Sequence, residues 1–529
     1  MELTREILQE IPLDRLAHLS REELLALIQK GQKLVQELQN EKIQIQREKV
    51  QLEKENEFLE ALAAELAERL MVVTDQYIHV KNKIFRKSSE RSPKMGGSGK
   101  PPRDPKDRKS KIQLPSQRYP EAAIIEREVT LETLPECKCC GEKMVDSGMI
   151  EESEYLTTIP RQYLVVRQKR HKYRCGKCHG DIQTAPAPSR IKEGSGYSDE
   201  MMIDVALTKY CDLVPIERYT AMAGREGLKE LPQQSLIEST HYLADFVKAA
   251  YDRLKSEILQ LKVLHADETP HRMLEGDKTS QWYLWGFSGT QTSYFEHHNT
   301  RSGDVASELL KKSDCLYLSS DVFSGYGKAV RITNEVRKQQ GKEPISHVYC
   351  NAHARRRFRE AKDNFPEEAE FFIDRYKEIY HLESEAKGRP PDIKLEIRKK
   401  MAPLFEEMKA RAELAEMSYS SKSRIVRATH YFIENYAEFT RFIENADLPI
   451  DNNPAERLLR NAVVGRKTWY GTHSKRGAET ASILFSLVES AKLNDINPRK
   501  YFRALVQDLH DGKTAFTPKE FKEMTSKTG

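Results

Sequence analysis

Residues 262–269 read KVLHADET, and residues 315–321 read CLYLSSD. In each, apolar residues lead up to a carboxylate, Asp267 in the first and Asp321 in the second. That is the pattern of a buried strand that presents an acid at its end. Between them, WYLWGF (282–287) and TSYFEH (292–297) read as two more strands in hairpin order. A helical stretch, Asp304–Lys312, follows the third strand, and Ile345–Cys350 makes a fifth. The expected order is three meandering strands, a helix, a strand, a helix and a strand.

This is the element order of a ribonuclease-H-like α/β domain, in which the first and fourth strands lie side by side. Asp267 and Asp321 are then expected within bridging distance of one metal ion. Two Mg²⁺ ions about 3.5–4 Å apart suit phosphoryl transfer, because one activates the attacking oxygen and the other stabilises the leaving one. Hard Mg²⁺ prefers carboxylate oxygens, so a third acid is sought. Glu456 fits, in DNNPAERLLRNAVVGRK (451–467), where Asn453-Pro454 marks a helix start and puts Glu456 in the first turn. Arg457, Arg460, Arg466 and Lys467 follow and are expected to hold DNA phosphates. Each acid also has a plainer reading. Asp267 and Asp321 could be turn formers at strand ends. Glu456 could close a capping box with Asn453.

The fifth strand leads into CNAHARRRF (350–358), which sets His353, Arg355, Arg356 and Arg357 at the start of a helix beside the acids. The arginines could clamp a phosphate bidentately. A Cys350/His353 metal pair lacks two further ligands. Residues 354–445 are charged and helix-prone and read as a helical insertion within a catalytic domain spanning 256–475. A helical element, 476–529, follows.

Upstream, residues 20–85 contain no Pro, and Leu38, Ile45, Leu52, Leu59 and Leu66 recur every seven residues. Such a seam makes 1–85 a leucine-zipper-like arm for dimerisation or a partner. From Lys81 to Pro120 the chain carries 13 Lys and Arg against 3 Asp and Glu. Residues 86–125 are therefore expected to be a disordered cationic linker, able to gain phosphate affinity by counterion release. Of the eight cysteines, five lie between Cys137 and Cys178. Cys137, Cys140, Cys175 and Cys178 form two CxxC pairs, the spacing of a structural Zn²⁺ ribbon over 126–185 with no open coordination position. Cys139 is a spare thiol. Ser153–Ile159 and Tyr163–Val166 alternate as the ribbon's strands should. Residues 190–255 read as helices around a turn at Gly227, like a helix-turn-helix that meets DNA. The fold class expected is thus multidomain α+β.

The start MELTREILQE is no secretory signal, and no run of about 18 apolar residues suggests a membrane span. A cytoplasmic, nucleoid-associated bacterial protein is expected. Its formal charge of +5 is too small to point to nucleic acid by itself.

HADET, SSDVFSGY, CNAHARRRF and DNNPAERLLRNAVVGRK together resemble the hallmark blocks of the insertion sequence 66 family of bacterial transposases. The resemblance extends to the zipper-like helix, the two CxxC pairs and YLVVRQKRHKYRCGKC, and to APAPSRIKEG, LTKYCDLVPIERY and LVESAKLNDINPRKYF. It implies a DDE transposase with Asp267, Asp321 and Glu456 as its acids. The implied substrates are the element's terminal inverted repeats and target double-stranded DNA. It also implies small accessory proteins of the same element as possible partners, beside a homo-oligomer. The first pair departs from the family in reading CKCC. The competing reading is a zinc-containing DNA-binding regulator with an inactive nuclease-like domain; a structure-specific nuclease using the same acids is a third.

Overall fold

The computed structural model describes residues 20–85, 114–120, 122–129, 133–144, 150, 152–159, 161–175, 182–274 and 281–527. They belong to two compact units, Met1–Thr157 and Thr158–Gly529. None of the described helices is long and apolar enough to cross a membrane.

In the first unit, α1 runs over Arg21–Phe85. Its start is a capping box: the Ser20 amide donates to the Glu23 carboxylate (2.8 Å) and the Glu23 amide to the Ser20 hydroxyl (3.3 Å). The heptad residues Leu38, Ile45, Leu52, Leu59 and Leu66 are 42–63% exposed. A helix this long, with its apolar stripe in water, gains its stability by packing on a partner. The expected linker falls on residues 86–113, outside the described residues. Its C-terminal part is structured instead: Pro115–Arg118 forms one turn, α2, held by Ser116, whose amide and hydroxyl both donate to Glu154 at 2.8 Å.

The two expected ribbon strands are not formed. Ser153–Ile159 and Tyr163–Val166 pair with no strand among the described residues, and Ile159, Leu164, Val165 and Val166 are exposed. Alternation alone does not make a strand; a ladder partner is needed to satisfy the backbone. The observed hairpin lies further on, β1 (Lys172–Arg174) against β2 (Ile182–Thr184).

The body of the second unit is a five-stranded mixed sheet. Its strands are β3 (Val263–Arg272), β4 (Gln281–Ser288), β5 (Ser293–His298), β6 (Tyr317–Ser320) and β7 (Ser346–Tyr349), in the order β5-β4-β3-β6-β7. The first three form an antiparallel meander, and β6 and β7 join in parallel. The first and fourth of these strands are therefore neighbours. Helices α3 (Asp199–Tyr210), α4 (Ile216–Arg225), α5 (Gln233–Phe246) and α6 (Lys248–Gln260) precede the sheet. α7 (Gly303–Leu310) and α8 (Ser324–Gln339) connect its later strands.

Where a helix-turn-helix was expected, α4 and α5 flank Gly227 (φ +98°), and Ile216, Tyr219 and Ala223 of α4 pack with Leu236 of α5 in a small core. Leu207, Leu243 and Leu254 share one core with Leu264, Trp285, Phe295 and Leu318 of the sheet. Moreover α5 (QQSLIESTHYLADF) contains no Lys or Arg.

After β7 comes the insertion: α9 (Asn351–Ala361), α10 (Pro366–Ala386), α11 (Pro391–Lys399), α12 (Ala402–Ser418), α13 (Arg424–Glu434) and α14 (Tyr436–Thr440). It has its own core of Phe358, Phe372, Tyr376, Phe405, Phe432, Phe439 and Phe442, with Phe358 and Phe372 stacked at 4.1 Å. Arg398, fully buried, pairs with Glu383 and donates to the carbonyls of Phe442, Asn445 and Leu448. It satisfies backbone groups of the return loop that water cannot reach.

The chain re-enters the first core through α15 (Asn453–Trp469), α16 (Lys475–Leu493), α17 (Pro498–His510) and α18 (Pro518–Lys527). Residues beyond 475 are thus part of the sheet domain. Helix α16 covers the outer edge of β5: Ser490 and Ser486 accept from the amides of Ser293 and Phe295 (2.9 Å each), and Ser482 bonds His297 (2.8 Å). An edge strand's outward N–H groups are satisfied this way, and its open side is closed.

Candidate active site

Three elements converge beside the C-terminal end of β6. The parallel register pairs Val263 with Tyr317, Leu264 with Leu318 and His265 with Ser319. Asp267 lies two residues past the last of these pairs and Asp321 directly after the end of β6, near enough for the charge of Asp321 to act on Asp267. Asp267 is not at the end of its strand, as the sequence suggested. It lies mid-strand, because β4 goes on pairing with β3 as far as Arg272 after β6 has ended at Ser320.

Glu456 comes from the first turn of α15. It closes no capping box: the cap is Asn452, and the Asn453 amide donates to Asp451 (3.1 Å). One Glu456 oxygen instead lies 3.5 Å from Nδ1 of His353, and the other 3.9 Å from Arg356. That first oxygen and His353 Nδ1 are buried without a hydrogen-bond partner.

Two of the three acids, Asp267 and Asp321, have raised carboxyls. Burial first, then the charges of Glu268, Asp321 and Glu456, raise the Asp267 carboxyl well above its ordinary value. Burial also raises Asp321, opposed by His353, the Phe323 amide and Arg301, while Glu456 raises it further. Carboxylates that hold each other's protons on are those a divalent cation relieves. The donor set is oxygen-rich and half-buried, the chemistry a hard divalent ion prefers, but the three acids do not all bring ligand oxygens within 4.8 Å of one another.

Residues the sequence reading passed over build the frame. Asn452 is buried; its side chain bonds His265 Nδ1 (2.8 Å) and donates to the Ala266 carbonyl (2.8 Å), and its amide donates to Cys350 Sγ (3.2 Å). It thereby ties the helix of Glu456 to the strand of Asp267 and to the start of α9. On the opposite face of β3, Glu268 is buried and held by Tyr326 Oη (2.6 Å) and Arg301 Nε (2.7 Å). HADE carries two adjacent acids in a strand, so one must face each side. That was the available signal for Glu268.

The remaining candidates divide. Cys350, His353 and Glu456 offer donor atoms within 4.8 Å of one another, but burial pushes the Cys350 thiol up to about 12, and a protonated thiol is a poor ligand. The three arginines do not act as one clamp. Arg356 faces Glu456, Arg355 lies over the Tyr380 ring (5.7 Å) and Arg357 over Tyr431 (3.9 Å). Arg457, Arg460 and Lys467 are exposed on α15, and Arg466 is half-buried near His271.

The first CxxC forms a knuckle in its own unit. The Cys137 amide donates to Glu142 O (2.7 Å), the Gly141 amide to Cys137 O (2.9 Å), and the Cys139 amide to Cys137 Sγ (3.5 Å). Gly141 takes φ +77°, which other residues rarely adopt. The amides of Cys139 and Cys140 lower the Cys137 thiol, favouring the thiolate a metal needs. Cys175 is described; Cys178 lies outside the described residues.

Two stretches of the chain match known protein families. The profile of the family described as "Transposase IS66 family" matches residues 194–480, and that of the zinc-finger binding domain of transposase IS66 matches 135–179. Among similar proteins are two uncharacterized proteins of Sinorhizobium fredii. One, y4hP, is 25% identical over 501 residues, covering 90% of this chain and 86% of its own. The other, y4jD, is 24% identical over 398 residues, covering 73% and 76%.

Proposed function

The chain belongs to the IS66 family of DDE transposases, and on that premise we propose that it cleaves and joins DNA at the terminal inverted repeats of a bacterial insertion sequence. The family implies a divalent metal, and its finger domain implies zinc. Asp267, Asp321 and Glu456 would hold two Mg²⁺ ions, which when bound supply Lewis-acid activation of the attacking oxygen and charge stabilisation of the leaving one. The single observation that carries this reading is that Asp267 on β3 lies near enough to Asp321, just after β6, and to Glu456 on α15 for both charges to act on its carboxyl. The strand order supports a ribonuclease-H-like assignment for the sheet.

In this reading a phosphodiester is attacked first by water, and a new P–O bond replaces the P–O bond to the departing 3′-oxygen. The freed 3′-hydroxyl then gives up its proton and attacks a target phosphodiester, forming a new P–O bond as the P–O bond to the target strand's own 3′-oxygen breaks and that oxygen leaves protonated. Arg356 reaches toward the scissile phosphate from beside Glu456, and Arg457, Arg460 and Lys467 hold flanking phosphates. His353 and Asn452 keep Glu456 oriented. Cys137, Cys140, Cys175 and Cys178 hold a structural Zn²⁺, which the knuckle at Cys137 supports. The exposed seam of α1 suits a second copy or an accessory protein of the element, and the site of action is bacterial DNA in the cytoplasm.

Purified protein with Mg²⁺ and a plasmid carrying the element tests this. The wild type should yield excised ends and joined strand-transfer products. Asp267→Ala should lose both while still binding the ends. Excision by Asp267→Ala would overturn the assignment; cut ends without joined products would favour a nuclease; binding without any cleavage by the wild type would favour a regulator.

A further inference from the structure

We propose that a cleft in the helical insertion, walled by Arg357, Arg424 and Arg427, binds the phosphate backbone of the DNA that enters the acidic site; this rests on the DNA-processing reading above and adds a second grip to it. Glu360 and Ala428 complete the lining, and the cleft has a volume of about 410 Å³. A water's share of liquid volume is about 30 Å³, so a phosphate group is readily admitted. The lining carries three cations and one anion, a balance of +2.

Three observations point to an anionic occupant. The first is pairing. Many basic side chains of this unit sit against carboxylates, as Arg411 does with Glu368 and Arg375 with Glu407. Among the described residues, Arg357, Arg424 and Arg427 make no ion pair, and all three are exposed. The second is their place on α13. Ser423 caps this helix, its hydroxyl accepting from the Val426 amide (3.3 Å), and the first turn contains no acid. Arg424 and Arg427 therefore stand at the positive end of the helix dipole, with Lys422 just before it. Cations there oppose the dipole, whereas a bound anion is favoured by dipole and guanidinium alike. The third is position. Arg357 follows Arg356 on α9, and Arg356 faces Glu456. Tyr431, over which Arg357 lies, also feels the charge of Asp321, which puts the cleft on the side of the insertion that faces the acids. Arg357 is set for a phosphate contact by the Tyr431 ring 3.9 Å beneath its guanidinium.

Salt dependence of binding reads such contacts directly. Each phosphate contact contributes about 0.9 to the slope of log K against log salt. The zinc-loaded full chain is titrated, by fluorescence anisotropy, onto a labelled 40-base-pair duplex of arbitrary sequence. Arg424→Gln/Arg427→Gln should lower the magnitude of the slope by about two and weaken binding roughly 50-fold at 0.1 M salt. Arg357→Gln should remove about one further unit. Removing two charges elsewhere, as Lys338→Gln in the last turn of α8 with Lys342→Gln just beyond it, should leave the slope unchanged. Wild-type slope in the double variant, or an equal loss in the control pair, overturns the cleft proposal. If the wild type itself binds no DNA, the DNA-processing reading fails instead, and the cleft proposal falls with it.

Discussion

Asn452 joins three elements through one side chain and one amide, and its carbonyl accepts from the Glu456 amide (3.2 Å). Its carboxamide meets His265 and the Ala266 carbonyl, and its amide meets Cys350. In Asn452→Ala the buried His265 Nδ1 loses its acceptor, at a cost of about 1–3 kcal/mol. The larger consequence is geometric. Glu456 is four residues along, and a displacement of about 1 Å at a reacting centre can cost roughly 10²-fold in rate. Asn452→Ala should lower the single-turnover cleavage rate at least about tenfold while the Kd for DNA stays at the wild-type value. Asn452→Asp, which keeps the acceptor for His265, should recover part of that rate. A wild-type rate in Asn452→Ala would show that Glu456 is positioned without it.

At the scale of elements, α16 is the least expected finding. ASILFSLVES reads as a buried helix, and the sequence reading set it apart as a C-terminal addition. Ser482, Ser486 and Ser490 recur every four residues and so share one face. That spacing shows a polar stripe on an apolar helix but not what lies opposite, which is the edge of β5. In Ser486→Ala the Phe295 amide is left buried without its acceptor. Unfolding free energy should fall by about 1–3 kcal/mol, with an unchanged denaturant slope. A loss below about 0.5 kcal/mol, the range of ordinary surface substitutions, would mean that the edge is satisfied otherwise. The sheet itself was legible because β3 to β7 carry local alternation and short apolar runs. The strands expected at 153–159 and 163–166 carried the same alternation without a partner, which no local pattern reveals. Asp267 and Asp321 were legible as acids following apolar runs, whereas Glu456 needed a helix start nearly two hundred residues from Asp267. Arg301 and Asn452 were hidden, because their partners come from strands brought near only by folding.

Across the whole molecule, the buried ionisable groups set its response to acid. His271 and His347 are held down to about 4 by burial, with the Arg466 and Arg441 charges adding to it. His241, His265 and His297 are lowered as well, burial being the largest cause each time. A histidine depressed on folding contributes stability that is complete above its unfolded value of 6.5 and is lost as pH falls toward the folded value. At about 1.4 kcal/mol per unit, His271 and His347 alone should remove roughly 4 kcal/mol between pH 6.5 and 5. Against a total stability of about 5–15 kcal/mol that is a large share. Asp267 and Asp321 act in the opposite sense. Their raised carboxyls stabilise the metal-free fold below the ordinary aspartate value, and that contribution is lost as pH rises through the folded value. Without added divalent ions, the thermal midpoint should nonetheless fall steeply from pH 6.5 to 5, since five lowered histidines face three raised carboxyls, Asp267, Asp321 and Glu268. His271→Asn removes one titrating ring, and its stability should vary less steeply with pH by about one proton, even if it is less stable at pH 7.5. An unchanged slope would mean that His271 is not among the groups that take up protons on unfolding.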